Sequence, residues 1–486
     1  MNDKVLSAQV ILEERDEWSN EDILLIEKAI DFATKKHDGQ IRNAGGPYVN
    51  HVILTGKNLA HLGMDTTTIV AGILHDTIED TKTTEEEIIE NFGKEVAFIV
   101  MGVSKLSKLR YSGLERHVES LRKFFVAMAE DVRVVIVKLA DRLHNINTLE
   151  FVKKEKQQRI AIETLEIHAR LADRLGMGAL KSELEEKAFP YAFPDDYKQV
   201  KEISENYTRD SSKKMEEVKN NLKESLELEG VNVLNIDSRV KHLYSLYLKL
   251  KKYEMDITKI HDIIALRIIV PDIASCYKTL GVIHAEYRPM TSRIKDYIAI
   301  PKSNGYKSLH TTILTKDGNA AEIQIRTLEM HYEAEFGIAS HLHYKEIGKN
   351  KSKQEIEKKT SWTKELLELQ KNIADKDEFL HTLKTDFFST RVFVFTPKGD
   401  VVDLPEGATP IDFAFTIHSK IGDKMSHAKV NGKMVSIETK LKRGDVVEIV
   451  TNKNGHPTEK WLDYVKTNIA KRHIQRYLES TGVVKK

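Results

Sequence analysis

Three separate segments near the N-terminus place histidine and aspartate on otherwise apolar stretches. His51 follows a Gly-rich loop in Pro47-Tyr-Val-Asn-His51, His75-Asp76 sits inside Ile69-Val-Ala-Gly-Ile-Leu-His-Asp-Thr-Ile-Glu-Asp80, and Asp141 sits inside Val134-Val-Ile-Val-Lys-Leu-Ala-Asp-Arg-Leu-His-Asn145. A carboxylate buried on an apolar helix is costly unless a cation or partner meets it. Two histidines with two aspartates offer mixed nitrogen and oxygen ligands, suited to a borderline-to-hard divalent ion such as Mn²⁺, Fe²⁺ or Zn²⁺. Such an ion lowers the pKa of water and makes a nucleophile at neutral pH. Glu79 follows His75, and Asp80 follows Asp76, at helical i,i+4 spacing, so one helix would bring all four to neighbouring rows of a single face. There Glu79 and Asp80 could orient that water or move its proton. Asp141, Asn145 and Thr148 likewise share a face.

A second constellation lies in Thr291–Thr312, TSRIKDYIAIPKSNGYKSLHTT. Arg293, Lys295, Lys302 and Lys307 surround a Ser303-Asn304-Gly305 turn, followed by Tyr306 and His310. Cations on a tight loop beside an aromatic ring suit a nucleotide, with charges for the phosphates and a flat face for the base. Glu322-Ile-Gln-Ile-Arg-Thr then alternates as a strand, with Glu322, Gln324 and Arg326 on one face. Upstream, Ser238-Arg-Val-Lys241-His-Leu-Tyr-Ser245-Leu-Tyr-Leu-Lys249 reads as Arg239, Lys241, Ser245 and Lys249 near the start of a helix, a good phosphate site. Asp262 leads the strand Ile263–Val270, where a carboxylate suits Mg²⁺. Two acids facing a basic loop are what metal-assisted phosphoryl-group transfer needs.

The elements that must position these residues fall into distinct regions. At 486 residues the chain is too long for one core, and two to four domains are expected. Residues 1–195 read as almost all helix, with apolar periodicity over Asp22–Ala33, Ile69–Ile78, Val96–Leu109, Val132–Leu149 and Ile160–Leu175. Phe189-Pro-Tyr-Ala-Phe-Pro194 reads as a punctuated exit. A long charged helix from Asp196 to about Glu227 opens an α/β region, 196–345, with strands expected at Val231–Ile236, Ile263–Val270, Tyr297–Ile300, Thr311–Thr315 and Ala321–Ile325. Residues 346–389 hold a polar linker and an amphipathic helix around Trp362–Ile373. Residues 390–452 read as a compact β-rich module: a hairpin through Pro397-Lys-Gly399, a short helix near Pro410, and strands at His427–Val430 and Val446–Thr451. One helix, Trp461–Leu478, is expected in 453–486, and its lysine tail suggests a natural protein that continues. Net charge is +1, so no global field calls for nucleic acid. The single cysteine, Cys276, rules out an internal disulfide and suits a reducing cytoplasm. No run approaches the ~20 apolar residues of a membrane helix.

These residues resemble a known family. His, His-Asp and Asp on three segments form the ligand pattern of the HD phosphohydrolases. More closely, His37-Asp-Gly-Gln-Ile-Arg42, Gly45-Gly-Pro-Tyr48, His75–Asp80 and Asp141-Arg-Leu-His-Asn145 resemble the hydrolase domain of long RelA/SpoT homologues. That resemblance implies removal of the 3′-pyrophosphate of (p)ppGpp with Mn²⁺, His51, His75, Asp76 and Asp141 as ligands, and Arg42, Asn145 and Thr148 on the nucleotide. Asn43 stands where the family usually has a basic residue, which would cost a phosphate contact. The second constellation resembles the family's nucleotidyltransferase-like synthetase domain, which moves the β,γ-pyrophosphate of ATP to the 3′-hydroxyl of GDP or GTP. On this reading Arg239, Lys241 and Lys249 handle ATP. Lys302, Asn304, His310 and a stacked Tyr306 hold the guanine nucleotide. Asp262 and Glu322 carry Mg²⁺ and the chemistry, with Glu322 sharing the metal or acting as base.

Arg293-Ile-Lys295-Asp296 is the basic tetrad that marks bifunctional members. Leu342 replaces a usual tryptophan. Arg391–Thr451 resembles the family's TGS module, a β-grasp domain that senses the ribosome-bound tRNA end, and His418 fits its contact position. The fold class implied is multidomain α+β: an all-α HD-type domain, an α/β synthetase domain and a small TGS domain. A hydrolase with an inactive, regulatory synthetase domain is one alternative, and a ribosome- or tRNA-binding regulator without turnover is another. Two opposed activities in one chain would cycle futilely, so reciprocal control is expected, routed through Phe189–Leu228.

Overall fold

The computed structural model describes residues 4–107, 126–127, 130–260, 262–302, 304–315, 320–340 and 391–481. The expectations for Ser303, Leu342, the linker and the helix around Trp362 lie outside them. The chain divides into two units, Met1–Leu367 and Glu368–Lys486.

The first unit opens with helices whose starts are written in capping residues. α1 (Asn20–Lys36) begins with a reciprocal Ser19–Asp22 capping box, and α2 (Val49–His61) follows the Gly-rich loop, closed by an Ile41–Pro47 bridge. α3 (Thr66–Leu74) is capped by Asp65, α5 (Glu85–Ser107) follows, and α6 (Val132–Asn147) is capped by Asp131. Apolar faces of α2, α3, α5 and α6 pack together around Val52, Ile53, Ile69, Ile73, Val135 and Leu139. Gly72 lets α3 approach α2, since a Cβ there would lie 2.2 Å from Leu59 Cδ1.

One expected helix is broken. The Ile69–Ile78 helix ends at Leu74 and resumes as the single turn α4 (Thr77–Asp80). Two side chains explain the break: His75 Nδ1 lies 2.8 Å from the Gly72 carbonyl, and the Thr77 hydroxyl donates to the Leu74 carbonyl at 2.6 Å. Both take acceptors that a continuing helix would use. α7 (Lys154–Glu163), a π-helical turn Thr164–His168 and α8 (Ala169–Arg174) lead to α9 (Gly178–Ala192). Pro190 lies inside α9 and does not end it, so the exit is confined to Phe193. α10 (Pro194–Leu228) is then one uninterrupted helix.

The α/β part holds a mixed six-stranded sheet in the order β1-β2-β6-β5-β3, with β4 also on β5. Its strands are β1 (Asn235–Val240), β2 (Ile264–Val270), β3 (Arg288–Pro289), β4 (Lys295–Asp296), β5 (Leu309–Leu314) and β6 (Ala320–Thr327). β2 and β6 run parallel, while β1–β2 and β5–β6 are antiparallel. β2 is buried almost throughout, as its Ile/Val-rich run demands. Two strand expectations are corrected. The first strand is Asn235–Val240, not Val231–Ile236, so Ser238–Val240 belongs to an edge strand and not to a helix start. Tyr297–Ile300 is a turn, because the Asp296 carboxylate accepts from the Ile298 and Ala299 amides at 2.9 and 2.8 Å and curls the chain. Helices α11 (Leu243–Lys252), α12 (Ile273–Glu286) and α13 (Leu328–Phe336) complete this part.

In the second unit, β7 (Arg391–Phe395) and β8 (Val401–Pro405) form the expected hairpin, and α14 (Pro410–Ile417) starts at the expected proline. β9 (Met425–Val430) pairs antiparallel with β10 (Lys433–Val435) and β11 (Val447–Thr451). Asn431 and Gly432, both at positive φ, make the tight β9–β10 turn. The expected Trp461–Leu478 helix is two pieces, a 3₁₀ turn Glu459–Asp463 and α15 (Asn468–Ser480). The interruption has a cause: the Lys466 and Thr467 amides bond the Asp412 carboxylate.

Candidate functional sites

α2, α3 and α6 bring His51, His75 and Asp141 together, with one ligating atom from each within 4.8 Å of the others. His51 Nε2 lies 3.2 Å from Asp141 Oδ1 and 3.4 Å from Asp76 Oδ2, and His75 Nε2 lies 3.1 Å from Asp76 Oδ1. All four side chains are buried. His75 spends its Nδ1 proton on the Gly72 carbonyl, which can only accept, and its buried Nε2 has no hydrogen-bond partner. Two imidazole nitrogens and two carboxylates thus converge on one small space, the donor set of a divalent metal centre. Burial by itself would raise the Asp76 and Asp141 carboxyls. The surroundings win: the His75 and His51 imidazoles beside it hold Asp76 well below the carboxylate range, and Lys138, 2.7 Å from Asp141 Oδ2, does the same for Asp141.

The remaining expected residues surround this cluster. Asp80, exposed, joins Asp76 through the Tyr48 hydroxyl, 2.7 Å from Asp76 Oδ2 and 3.0 Å from Asp80 Oδ2. Glu79 is half-buried on the same turn. Arg42 donates to Asn145 Oδ1 at 2.5 Å, and Asn145 Nδ2 donates to Asp141 Oδ1 at 2.6 Å. Thr148 caps α6, its hydroxyl 3.2 Å from the His144 carbonyl. Tyr48, Lys138 and His144 escape a reading by residue type, because their roles arise from contacts between helices.

The second site lies on one face of the sheet. Parallel register sets Glu322 opposite Ala265 on β2, and β5 sets His310 beside Gln324. His310 Nδ1 lies 3.1 Å from Glu322, and its Nε2 lies 2.9 Å from the Tyr306 hydroxyl. A carboxylate accepts, so Nδ1 carries the proton and Nε2 takes one from Tyr306, a directed Tyr306–His310–Glu322 chain. Burial lowers the His310 pKa, consistent with that neutral ring. Lys302 Nζ stands 4.7 Å from the Tyr306 ring centroid. Lys295 on β4 pairs in register with His310, and Arg293 lies in the 3₁₀ turn just before it.

Lys241 Nζ is 2.9 Å from Asp262 Oδ2, and Lys249 bonds the same oxygen. Burial pushes the Asp262 carboxyl up, but the two ammonium groups leave it below its ordinary value. Partial burial likewise pushes Glu322 up, yet His310, Gln324 and Lys241 bring it down to about 2. The expected placement of these cations at a helix start is corrected. Arg239 is on β1, Ser245 in the first turn of α11 and Lys249 in its last, and the Tyr244 amide of that first turn donates to Glu186 of α9 at 3.0 Å. Asn304, expected on the guanine nucleotide, donates through its amide to the Asp173 carbonyl of the helical part at 3.2 Å. Arg267 and Arg326 line the same sheet face with one shared acid, Glu335, 3.4 and 3.0 Å away. In the second unit, exposed His418 caps the turn after α14, accepting from the Lys420 amide at 3.1 Å.

An all-helical His/Asp centre, a sheet carrying two acids among cations, and a small β module define a multidomain nucleotide-processing architecture. Family models match in that order: an HD domain over 29–178, a region found in RelA/SpoT proteins over 238–349, and a TGS domain over 392–451. The chain is 46% identical over 462 residues to a GTP pyrophosphokinase of Myxococcus xanthus, covering 94% of this chain and 61% of that protein. It is 40% identical over 449 residues to the bifunctional (p)ppGpp synthase/hydrolase SpoT of Escherichia coli, covering 92% of this chain and 64% of that one. A solved small alarmone synthetase of Bacillus subtilis bound to pppGpp aligns over 34% of this chain and 92% of its own at 27% identity, with a TM-score of 0.25. The chain thus carries the HD, RelA/SpoT and TGS domains in one order and is similar over more than nine tenths of its length to RelA/SpoT proteins. It spans about 60% of the length of the curated relatives named here.

Proposed function

We propose that the chain is a bifunctional alarmone enzyme, making (p)ppGpp from ATP and GDP or GTP on the sheet and removing its 3′-pyrophosphate in the helical centre. The observation that carries this reading is that both acid sets are present in one chain, each facing its own cations and histidines. The proposed extents are 1–195 for hydrolysis, 196–345 for synthesis and 390–452 for the TGS module.

In the hydrolase site His51, His75, Asp76 and Asp141 would hold the ion; their mixed nitrogen and oxygen donors accept Mn²⁺, Fe²⁺ or Zn²⁺, and the family resemblance selects Mn²⁺. The ion supplies Lewis acidity and a lowered water pKa. Asp80 and Glu79 at the mouth would take the water's proton, while Arg42, Asn145 and Thr148 orient the nucleotide. In the synthetase site Asp262 and Glu322 offer only oxygens, which suits Mg²⁺ shared with substrate phosphates. A carboxylate held near 2 is a weak proton acceptor, so Glu322 is better suited to hold metal than to act as general base. Arg239, Ser245, Lys241 and Lys249 would receive the ATP phosphates. Arg293, Lys295, Lys302, Asn304, Tyr306 and His310 would receive the guanine nucleotide. Through the TGS module and His418 the full-length protein would meet the ribosome and uncharged tRNA.

Paired variants test the reading. Asp141→Asn should abolish ppGpp hydrolysis and leave synthesis standing, and Asp262→Asn should do the reverse, each loss about 10³-fold or more. Absence of any guanosine product from wild-type protein with ATP, GDP and Mg²⁺ would leave a hydrolase only.

A further inference from the structure

His144 lies one turn after Asp141, buried, with no task in the scheme above. Its Nδ1 is 2.8 Å from Nδ1 of His51 and 3.0 Å from a terminal nitrogen of Arg42. Two ring nitrogens at that distance need a proton between them, since facing lone pairs repel. Arg42 decides which ring carries it. A guanidinium only donates, so His144 Nδ1 must be a lone pair. His51 Nδ1 therefore holds the proton, and the neutral His51 ring is left bare at Nε2. That bare nitrogen is the atom facing Asp141 and Asp76 at 3.2 and 3.4 Å. The opposite tautomer would point an N–H at the place a metal must occupy.

We propose that His144 is a positioning residue of the hydrolase. By accepting from both His51 and Arg42 it fixes the ligating tautomer of His51 and ties the nucleotide arginine to the metal cluster. The inference rests on the metal-dependent hydrolase reading of this site. A second path supports the same design. Arg42 reaches Asp141 through Asn145, by bonds of 2.5 and 2.6 Å. One guanidinium is thus joined to two metal ligands by two separate bridges, and a change in its position on nucleotide binding is passed to the ligands.

Mn²⁺ titration of the full chain, followed by electron paramagnetic resonance, tests the proposal. His144→Leu removes the acceptor, while His144→Asn offers Oδ1 near the place of Nδ1. His144→Leu should weaken Mn²⁺ binding about 10- to 100-fold with an unchanged circular-dichroism spectrum, and His144→Asn should recover most of that loss. Wild-type affinity in His144→Leu overturns the proposal. So does a His144→Asn variant as weak as His144→Leu, which would reduce His144 to a packing residue. His75→Ala separates the two readings: if it too binds Mn²⁺ as wild type does, the metal centre itself is misplaced. Should the leucine variant fail to fold, ¹⁵N-histidine spectra of wild-type protein decide. The proposal requires His51 protonated on Nδ1 and His144 on Nε2, and a His144 Nδ1–H signal refutes it.

Discussion

Glu185, on α9, is 2% exposed and faces Lys181, Arg170, Asp173 and Glu186. Burial pushes its carboxyl up to about 7 despite Lys181 and Arg170. The folded chain therefore keeps a proton that the unfolded chain loses above its ordinary value of 4.5. Stability from this group falls as pH rises from 4.5 to about 7, by about 3 kcal/mol in all, and is flat beyond. His144 and His168 act with the opposite sign: burial holds both at about 3, so they cost stability as pH falls below 6.5. Both remain in Glu185→Gln and cancel in a comparison with wild type. The variant should melt with wild type below pH 4.5 and several degrees above it at pH 8. A melting difference that does not change with pH contradicts the assignment. At this scale the buried cluster of His51, His75, Asp76 and Asp141 is legible in sequence, because a carboxylate or imidazole on an apolar stretch needs a reason and its neighbours lie one turn away. His144 is not, because its use depends on a residue 93 positions distant.

Elements were legible where local signals and tertiary packing agree, and misread where side chains overrule periodicity. The apolar rhythm runs unbroken through His75, yet the His75 and Thr77 side chains end α3 by taking its carbonyls. β1 is an exposed polar edge, Asn235–Val240, with little of the β-branched signal that reveals buried β2. The interruption before α15 depends on Asp412, wholly buried on α14. It accepts from the Thr409 amide and hydroxyl at 2.8 and 3.1 Å and from the Lys466 and Thr467 amides and the Thr467 hydroxyl at 2.7 to 3.1 Å. One carboxylate thus starts one helix and docks the next. Asp412→Ala would strand several buried donors, costing about 3 kcal/mol or more. Proteolysis should then cut near residues 464–468 far faster than in wild type, while unit-one hydrolysis keeps its rate. Equal cleavage of both proteins would show that Asp412 does not hold this junction.

At the scale of the whole first unit, the helical part and the sheet part meet at a seam with no room for a methyl group. A Cβ on Gly178 would lie 2.4 Å from the Ala334 carbonyl oxygen, and one on Gly337 would lie 2.3 Å from that of Leu175. The Ile338 amide bonds the Leu175 carbonyl at 3.0 Å, and Asn304 bonds that of Asp173. This seam is shorter than the α9–α10 path suggested by Phe189–Leu228, and it ends on the loop that carries Asn304, the proposed acceptor loop. If the Asn304 amide turns to a guanine, it must leave Asp173, at the end of a path that runs through α8 and the π turn to Arg142. There Arg142, next to Asp141, bonds Glu163 at 2.8 Å. Acceptor binding and hydrolase geometry should therefore be coupled, by a factor of about 5 to 150, and the same factor should appear in both directions. The check is the ppGpp affinity of a hydrolysis-dead Asp80→Asn chain, measured with and without saturating GDP and a non-hydrolysable ATP analogue. The wild-type seam should give weaker ppGpp binding when the synthetase is filled. Gly178→Ala, which forces the two backbones apart, should bring the ratio towards one. Equal ppGpp affinity with the synthetase empty or full would mean that the two sites share a chain but not a conformational equilibrium.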